Sequence, residues 1–139
     1  SLLAAELLAA HLEELGGGRL QPTLQDESQV TYAGKLDKQE AIIDWQQGAV
    51  AIERRVRAFN PWPVAQTNYE GKNLRVWRAV AVDCVGGLPG TVVAAGKQGI
   101  DIACGQGCLR LQEIQLPGGK RMDAEAFLNA RDVAGLILQ

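Results

Sequence analysis

The hydrophobic repeat of this chain changes period at a pair of prolines. Before them, Trp45, Ala49, Ile52, Val56 and Phe59 stand at spacings of four, three, four and three residues, which draws one apolar stripe on a helix. Asp44 precedes the run as a candidate N-cap. Pro61 and Pro63 end it, because the residue before a proline is pushed out of the α region. Beyond them the period is two. "AQTNY" and "LRVWRAVAV" read as strands joined at "EGKN", and "TVVAA", "IDIA" and "LRLQEIQL" follow, separated by "GKQG" and "GQG". In the last strand Leu109 and Leu111 fall on odd positions and Ile114 and Leu116 on even ones. That change of phase predicts a bulge near Gln112 and Glu113. A short helix, "MDAEAFLNARD", closes the pattern, with Asp123 as a cap and Phe127 and Leu128 pointing inward.

Short strands punctuated by glycine turns, with helices at the margins, predict a mainly β fold: an OB-like Greek-key barrel with flanking helices. The strand order stays open. A β-sandwich fragment is disfavoured, since the strands are too few for two sheets.

The amino-terminal side is organised differently. Residues 1–15, "SLLAAELLAAHLEEL", place leucines at helical spacing with glutamates between them, and Gly16, Gly17 and Gly18 stop the helix. Residues 16–29 read as a polar linker, and "VTYAGKL" opens the main domain, 30–139, as a short strand or extended arm. The first helix has nothing of its own to pack against. It is expected to be the terminal helix of a missing N-terminal domain, and a chain that starts within a helical pattern and without methionine reads as a piece of something longer.

At 139 residues the chain can bury one core. No apolar run approaches the roughly 20 residues of a membrane span, so no membrane partner is expected. Cys84, Cys104 and Cys108 are an odd number for a disulfide framework. Cys104 and Cys108 flank a glycine turn and could face each other across a hairpin. The favoured reading is nonetheless three reduced thiols, no metal site, and a reducing cytoplasm.

Catalytic constellations are missing from the pattern. The single histidine, His11, lies on the acidic first helix, and the two serines, Ser1 and Ser28, sit at the terminus and in the linker. No serine triad, glycine-rich dinucleotide loop or phosphate loop is available. What remains is a spread of cations. Residues 1–44 carry three basic and eight acidic side chains, whereas 45–139 carry eleven basic and eight acidic, so the folded part leans positive. Arg54, Arg55 and Arg57 crowd one turn of the helix. Arg75 and Arg78 lie on the strand that carries Trp77. Lys72, Lys97 and Lys120 each follow a glycine at an expected turn tip, and Arg121 adjoins the last. Singly, each is an ordinary solvated charge. Together they suit a surface that follows phosphates, since Coulomb attraction needs several cations and no fixed spacing.

"TYAGKL", "IDW", "RAFNPWP" and the segment "PGTVVAAGKQGIDIACGQGCLRLQEIQLPGGKRM" resemble the C-terminal half of the methionyl-tRNA formyltransferase family, from about Pro22 to Arg131. The resemblance implies a Rossmann-like N-terminal domain, upstream of Ser1, that binds the co-substrate formyl-tetrahydrofolate and holds the catalytic residues. No position of this chain matches those residues, so the expected catalytic set here is empty and no cofactor is expected in this part. The resemblance further implies that the barrel, a monomer in the cytoplasm, grips initiator Met-tRNA beside that catalytic domain. Asn60, Pro61, Trp62 and Pro63 form the turn after the basic helix. Trp62 is expected to be buried there as a staple between helix and barrel; direct stacking on RNA is the other reading. Two alternatives stay open: the C-terminal domain of a nucleotide-sugar formyltransferase, which shares the domain plan, and a stand-alone interaction barrel.

Overall fold

The apolar stripe of the basic helix begins before the helix does. The structure, a computed structural model, describes residues 2–139, and it starts that helix at Ala49 with Gly48 as the N-cap. Asp44 instead closes the preceding turn: it accepts from the Gln46 backbone N–H at 3.0 Å and the Gln47 side-chain amide at 3.2 Å. Trp45 therefore belongs to a turn that packs like a helix residue. All five residues of the stripe are buried.

The chain falls into two compact units, one ending at Gly34 and the other spanning Lys35–Gln139. In the first, α1 (Leu2–Gly16) buries no side chain, and its six leucines are exposed. Ser1, the first residue of the expected helix, lies outside the described residues. The end of α1 follows the glycine rule, because Gly18 takes a φ of 65°, in the left-handed region. The expected extended arm at 30–36 forms no strand, and Tyr32 there is exposed.

In the second unit, α2 (Ala49–Ala58) leads into β1 (Ala65–Tyr69), β2 (Lys72–Val82), β3 (Val92–Gly96), β4 (Gly99–Ala103), β5 (Cys108–Gln115), β6 (Met122–Asp123) and α3 (Ala124–Leu128). The strand order is β1-β2-β5-β4-β3, antiparallel throughout, with β6 also on β5. Strands β3, β4 and β5 form a meander, and β2, joined to β3 by the long 83–91 connection, lies beside β5. That is a Greek key. The fold is mainly β with flanking helices, as the period predicted.

Turn chemistry sets the hairpins. Glu70 (φ 49°) and Gly71 (φ 75°) make the two-residue β1–β2 turn, whose positive φ angles match the strand twist. The predicted bulge is present: Val76 pairs with Ile114, Arg78 with Glu113 and Ala79 with Leu111, so Trp77 and Gln112 drop out of register. The bend keeps both Leu111 and Ile114 in the core despite their opposite parity.

The C-terminal tail contacts both ends of this strand order. Val92 N–H donates to Leu136 C=O and Leu138 N–H to Gly90 C=O, both at 2.8 Å, while Gln139 and Asn68 exchange backbone hydrogen bonds. The tail thus links Val92 of β3 to Asn68 of β1, and Ile43 N–H adds a bond to Gln66 C=O at 2.8 Å, so part of each outer strand is covered. Inside, Ile52, Val56, Leu74, Val76, Ile102, Leu109, Leu111, Ile114 and Phe127 form the core, with Tyr69 edge-on to Phe127 at 5.5 Å. Asp123 stands at the N-cap position of α3, yet its carboxylate makes no cap hydrogen bond; Arg78 approaches it at 3.6 Å.

The cysteines depart from the expected reduced set. Cys84 and Cys108 form a disulfide that ties the 83–91 connection to the start of β5, and Cys104 is the free, buried one. Cys108 bonds to Cys84 and not to Cys104 across the hairpin: it lies opposite Val82 on β2, two residues before Cys84. Burial pushes the Cys104 thiol up to about 11. The turn between Cys104 and Cys108 demands glycine: Gly105 N–H donates to the carbonyls of Trp45 (2.9 Å) and Gln47 (3.0 Å), and a Cβ on Gly105 would collide with the Gln46 carbonyl oxygen.

Candidate nucleic-acid interface

Period two along β1 and β2 sends alternate side chains outward, and this outer face carries the candidate site. Trp77 sits at its centre, half-buried, with its indole N–H donating to Gln115 Oε1 at 3.0 Å. The guanidinium of Arg121 lies over the Trp77 ring at 4.5 Å and donates to Glu113 at 2.8 Å. A hollow of about 260 Å³ on one flank of Trp77 is rimmed by Arg57, Arg78 and Arg121 together with Glu53 and Asn60. On the other flank a groove of about 390 Å³ is lined by Lys38, Pro61, Trp62, Pro63, Gln66, Asn73 and Arg75. Arg75 continues into a third hollow, which reaches Gln115 and Gly118.

The structure therefore gathers four of the expected cations around one tryptophan: Arg57, Arg75, Arg78 and Arg121. They are not equivalent. Arg57 pairs with Glu53 at 3.2 Å, Arg78 with Asp123, and Arg121 with Glu113. Among the described residues Arg75 has no carboxylate within 4 Å. Lys72 begins β2 three residues before Arg75, and Lys120 lies between Gly119, whose carbonyl accepts from the Gln115 amide, and Arg121. The others lie elsewhere. Arg54 is exposed on α2, Arg55 borders the Glu40–Asp44 segment on another flank of the helix, and Lys97 occupies the β3–β4 turn at the far edge of the sheet. Arg110 is committed to a bidentate pair with Asp101 across β4 and β5, at 2.7 and 2.8 Å. These hydrogen bonds raise its pKa further and leave it a structural cation.

The turn after α2 differs from expectation in one respect. Trp62 is 54% exposed, and the junction it was expected to staple is filled by Phe59 and Val64, both buried. Val64 N–H donates to Phe59 C=O at 2.9 Å, which folds the turn back and turns the Trp62 ring toward the groove. Asn60 ties the turn to the sheet by donating to the Trp77 carbonyl at 3.1 Å. Both X–Pro bonds of the turn, Asn60–Pro61 and Trp62–Pro63, are cis.

Sequence reasoning missed Lys38, Gln66 and Asn73 as members of this face. Gln66 and Asn73 were legible as alternate positions of β1 and β2. Lys38 was not, because it lies in a 3₁₀ turn (Lys38–Ala41) that long-range packing brings to the sheet.

The second unit also has counterparts among known proteins. Residues 35–132 match the family described as "Formyl transferase, C-terminal domain". Among curated relatives, a methionyl-tRNA formyltransferase of Methylococcus capsulatus is 52% identical over 96% of this chain and 43% of its own length. One from Nitrosococcus oceani is 55% identical over 84% and 36%, and one from Coxiella burnetii is 50% identical over 94% and 42%. The chain thus spans about two-fifths of the curated relatives it matches. Among solved structures, HypX from Aquifex aeolicus superposes with a TM-score of 0.71 at 22% identity, over 91% of this chain and 23% of that one. A structure of HypX in complex with tetrahydrofolic acid gives 0.69 at the same identity, over 90% and 22%. At that identity the likeness speaks for the fold alone. With the family match covering every strand of the sheet and both of its flanking helices, the chain belongs to the formyl transferase C-terminal domain family.

Proposed function

We propose that this chain is the tRNA-holding C-terminal part of a methionyl-tRNA formyltransferase, an enzyme that formylates the amino group of initiator Met-tRNA with formyl-tetrahydrofolate in translation initiation. The observation that carries the reading is the Trp77 face, where Arg57, Arg75, Arg78 and Arg121 converge on one side of the sheet. Identity of 50–55% with relatives of that name supports it. Cations gathered on one face follow phosphates along an RNA stem without reading bases, because the deep, narrow major groove of A-form RNA hides the base edges. The fold is read as OB-like from its Greek-key order and from the tail that bonds to both outer strands, and the enzyme as cytoplasmic and monomeric. Residues 1–15 are read as the end of the catalytic domain. Formyl transfer and folate binding belong to that domain, so the 139-residue chain alone should not turn over.

The test is tRNA binding by this chain across a salt series. A dissociation constant on the order of 10⁻⁴ to 10⁻⁶ M at physiological salt is expected, weakening as salt rises, with initiator and elongator tRNAs competing almost equally. Arg75→Ala should flatten the salt slope by roughly one contact. Salt-independent binding, or none at low salt, would refute the reading and favour a barrel that only buttresses its catalytic domain. Formyl transfer to charged initiator tRNA by the chain alone would refute the assignment of catalysis elsewhere.

A further inference from the structure

We propose that the groove beside Trp62 holds one unpaired nucleotide of the bound RNA, with its base stacked on the Trp62 ring and its phosphate between Lys38 and Arg75. This rests on the tRNA-holding reading above and adds to it a subsite that binds by stacking as well as by charge.

Trp62 is the most exposed aromatic residue of Lys35–Gln139. Its ring borders a concave space of about 390 Å³, within the roughly 300–1,000 Å³ typical of small-molecule sites. Pro61 has a fixed φ and Pro63 keeps Trp62 out of the α region, so the backbone that carries the ring has little freedom to lose on binding. Trp77, by contrast, already carries Arg121 on its ring. No carboxylate lines the groove, and among the described residues neither Lys38 nor Arg75 makes an ion pair. The groove wall is polar in a directional way. Asn73 Nδ2 donates to Gln66 Oε1 at 2.7 Å, which fixes both amides and leaves the Gln66 NH₂ and the Asn73 carbonyl oxygen for a base edge. An aromatic face, two free cations and a fixed donor–acceptor pair match the parts of one nucleotide. The nucleotide must be unpaired, because bases inside an A-form stem are stacked and out of reach, whereas loops and ends splay theirs.

The test compares two probes on the 139-residue chain: an unmodified tRNA, and a blunt RNA duplex with no unpaired nucleotide. Stacking on one base is worth ~1–3 kcal/mol by alanine substitution, so Trp62→Ala should weaken tRNA binding roughly 5- to 150-fold. Its salt slope and melting midpoint should match the parent chain. Trp62→Tyr should recover most of the affinity, and duplex binding should be unchanged in both variants. Equal tRNA affinity in Trp62→Ala and parent, or equal weakening for tRNA and duplex, would overturn the subsite while leaving the tRNA-holding reading intact. A parent chain that binds neither probe would overturn both.

Discussion

Helix α2 has a tryptophan before it and a tryptophan after it, and the two ends are built in opposite ways. At the first end Trp45 is 5% exposed, its indole N–H donates to the Thr67 hydroxyl at 3.0 Å, and that hydroxyl donates to the Gln139 carbonyl at 3.0 Å. Gly105 hydrogen-bonds to the Trp45 carbonyl, Ala49 N–H to Gln106 C=O, and the Cys84–Cys108 disulfide lies along the same rim. At the other end Phe59 and Val64 take the buried places, and Trp62 is left facing a groove. The same residue type thus serves stability at one end and presents a surface at the other. What separates them is whether a polar partner and a closed wall await the indole.

The largest break in this comparison should come from Trp45→Ala. Truncating a buried indole costs ~3–5 kcal/mol, read from chemical denaturation midpoints at constant slope. A loss below about 1 kcal/mol would mean that the closed end does not depend on this ring.

Reduction of the disulfide tests the same end from the covalent side. The bridge closes a loop of 24 residues, which corresponds to about 3 kcal/mol of lost chain entropy in the unfolded state. The melting midpoint should fall in the presence of a reductant, and Cys84→Ala should reproduce the fall without one. An unchanged midpoint would show that the three thiols stay reduced in solution, as the cysteine count alone suggested.

Cys104 offers a smaller, pH-dependent measure of how dry that end is. Its pKa in the folded protein, raised to about 11 by burial, lies above that of an unfolded thiol. The stability associated with the neutral thiol is therefore complete below the unfolded value and is lost as pH rises through the folded one. Roughly 2 kcal/mol should disappear between pH 8 and pH 11 beyond the loss seen in Cys104→Ala. Parallel curves for the two proteins would indicate that water reaches the sulfur.

Trp62→Ala should have the smallest effect on stability, within about 0.5 kcal/mol, as for other surface substitutions. A loss near that of Trp45→Ala would erase the contrast and return Trp62 to the role of a staple. The RNA-binding effect proposed for the same substitution would then need a fold-based explanation.

Local order was legible from the residues alone. The apolar stripe from Trp45 to Phe59, the strand segments, the Glu70–Gly71 turn and the bulge at Gln112 and Glu113 all follow from spacing, because each depends on the pleat or helical turn within a few residues. Arg57, Arg75, Arg78 and Arg121 were likewise legible as cations, and Trp77 as their neighbour on β2. Tertiary structure decided the rest. Trp45 is buried because Thr67 and Gln139 close over it, from 22 and 94 positions further along the chain. Trp62 is open because Phe59 and Val64 already fill the junction. Cys108 bonds to Cys84 because β2 and β5 lie side by side, and the last four residues bond to both β1 and β3, the two ends of the strand order. Spacing determines which side chains share a face; which faces meet, and so which tryptophan is covered, depends on contacts that no local period encodes.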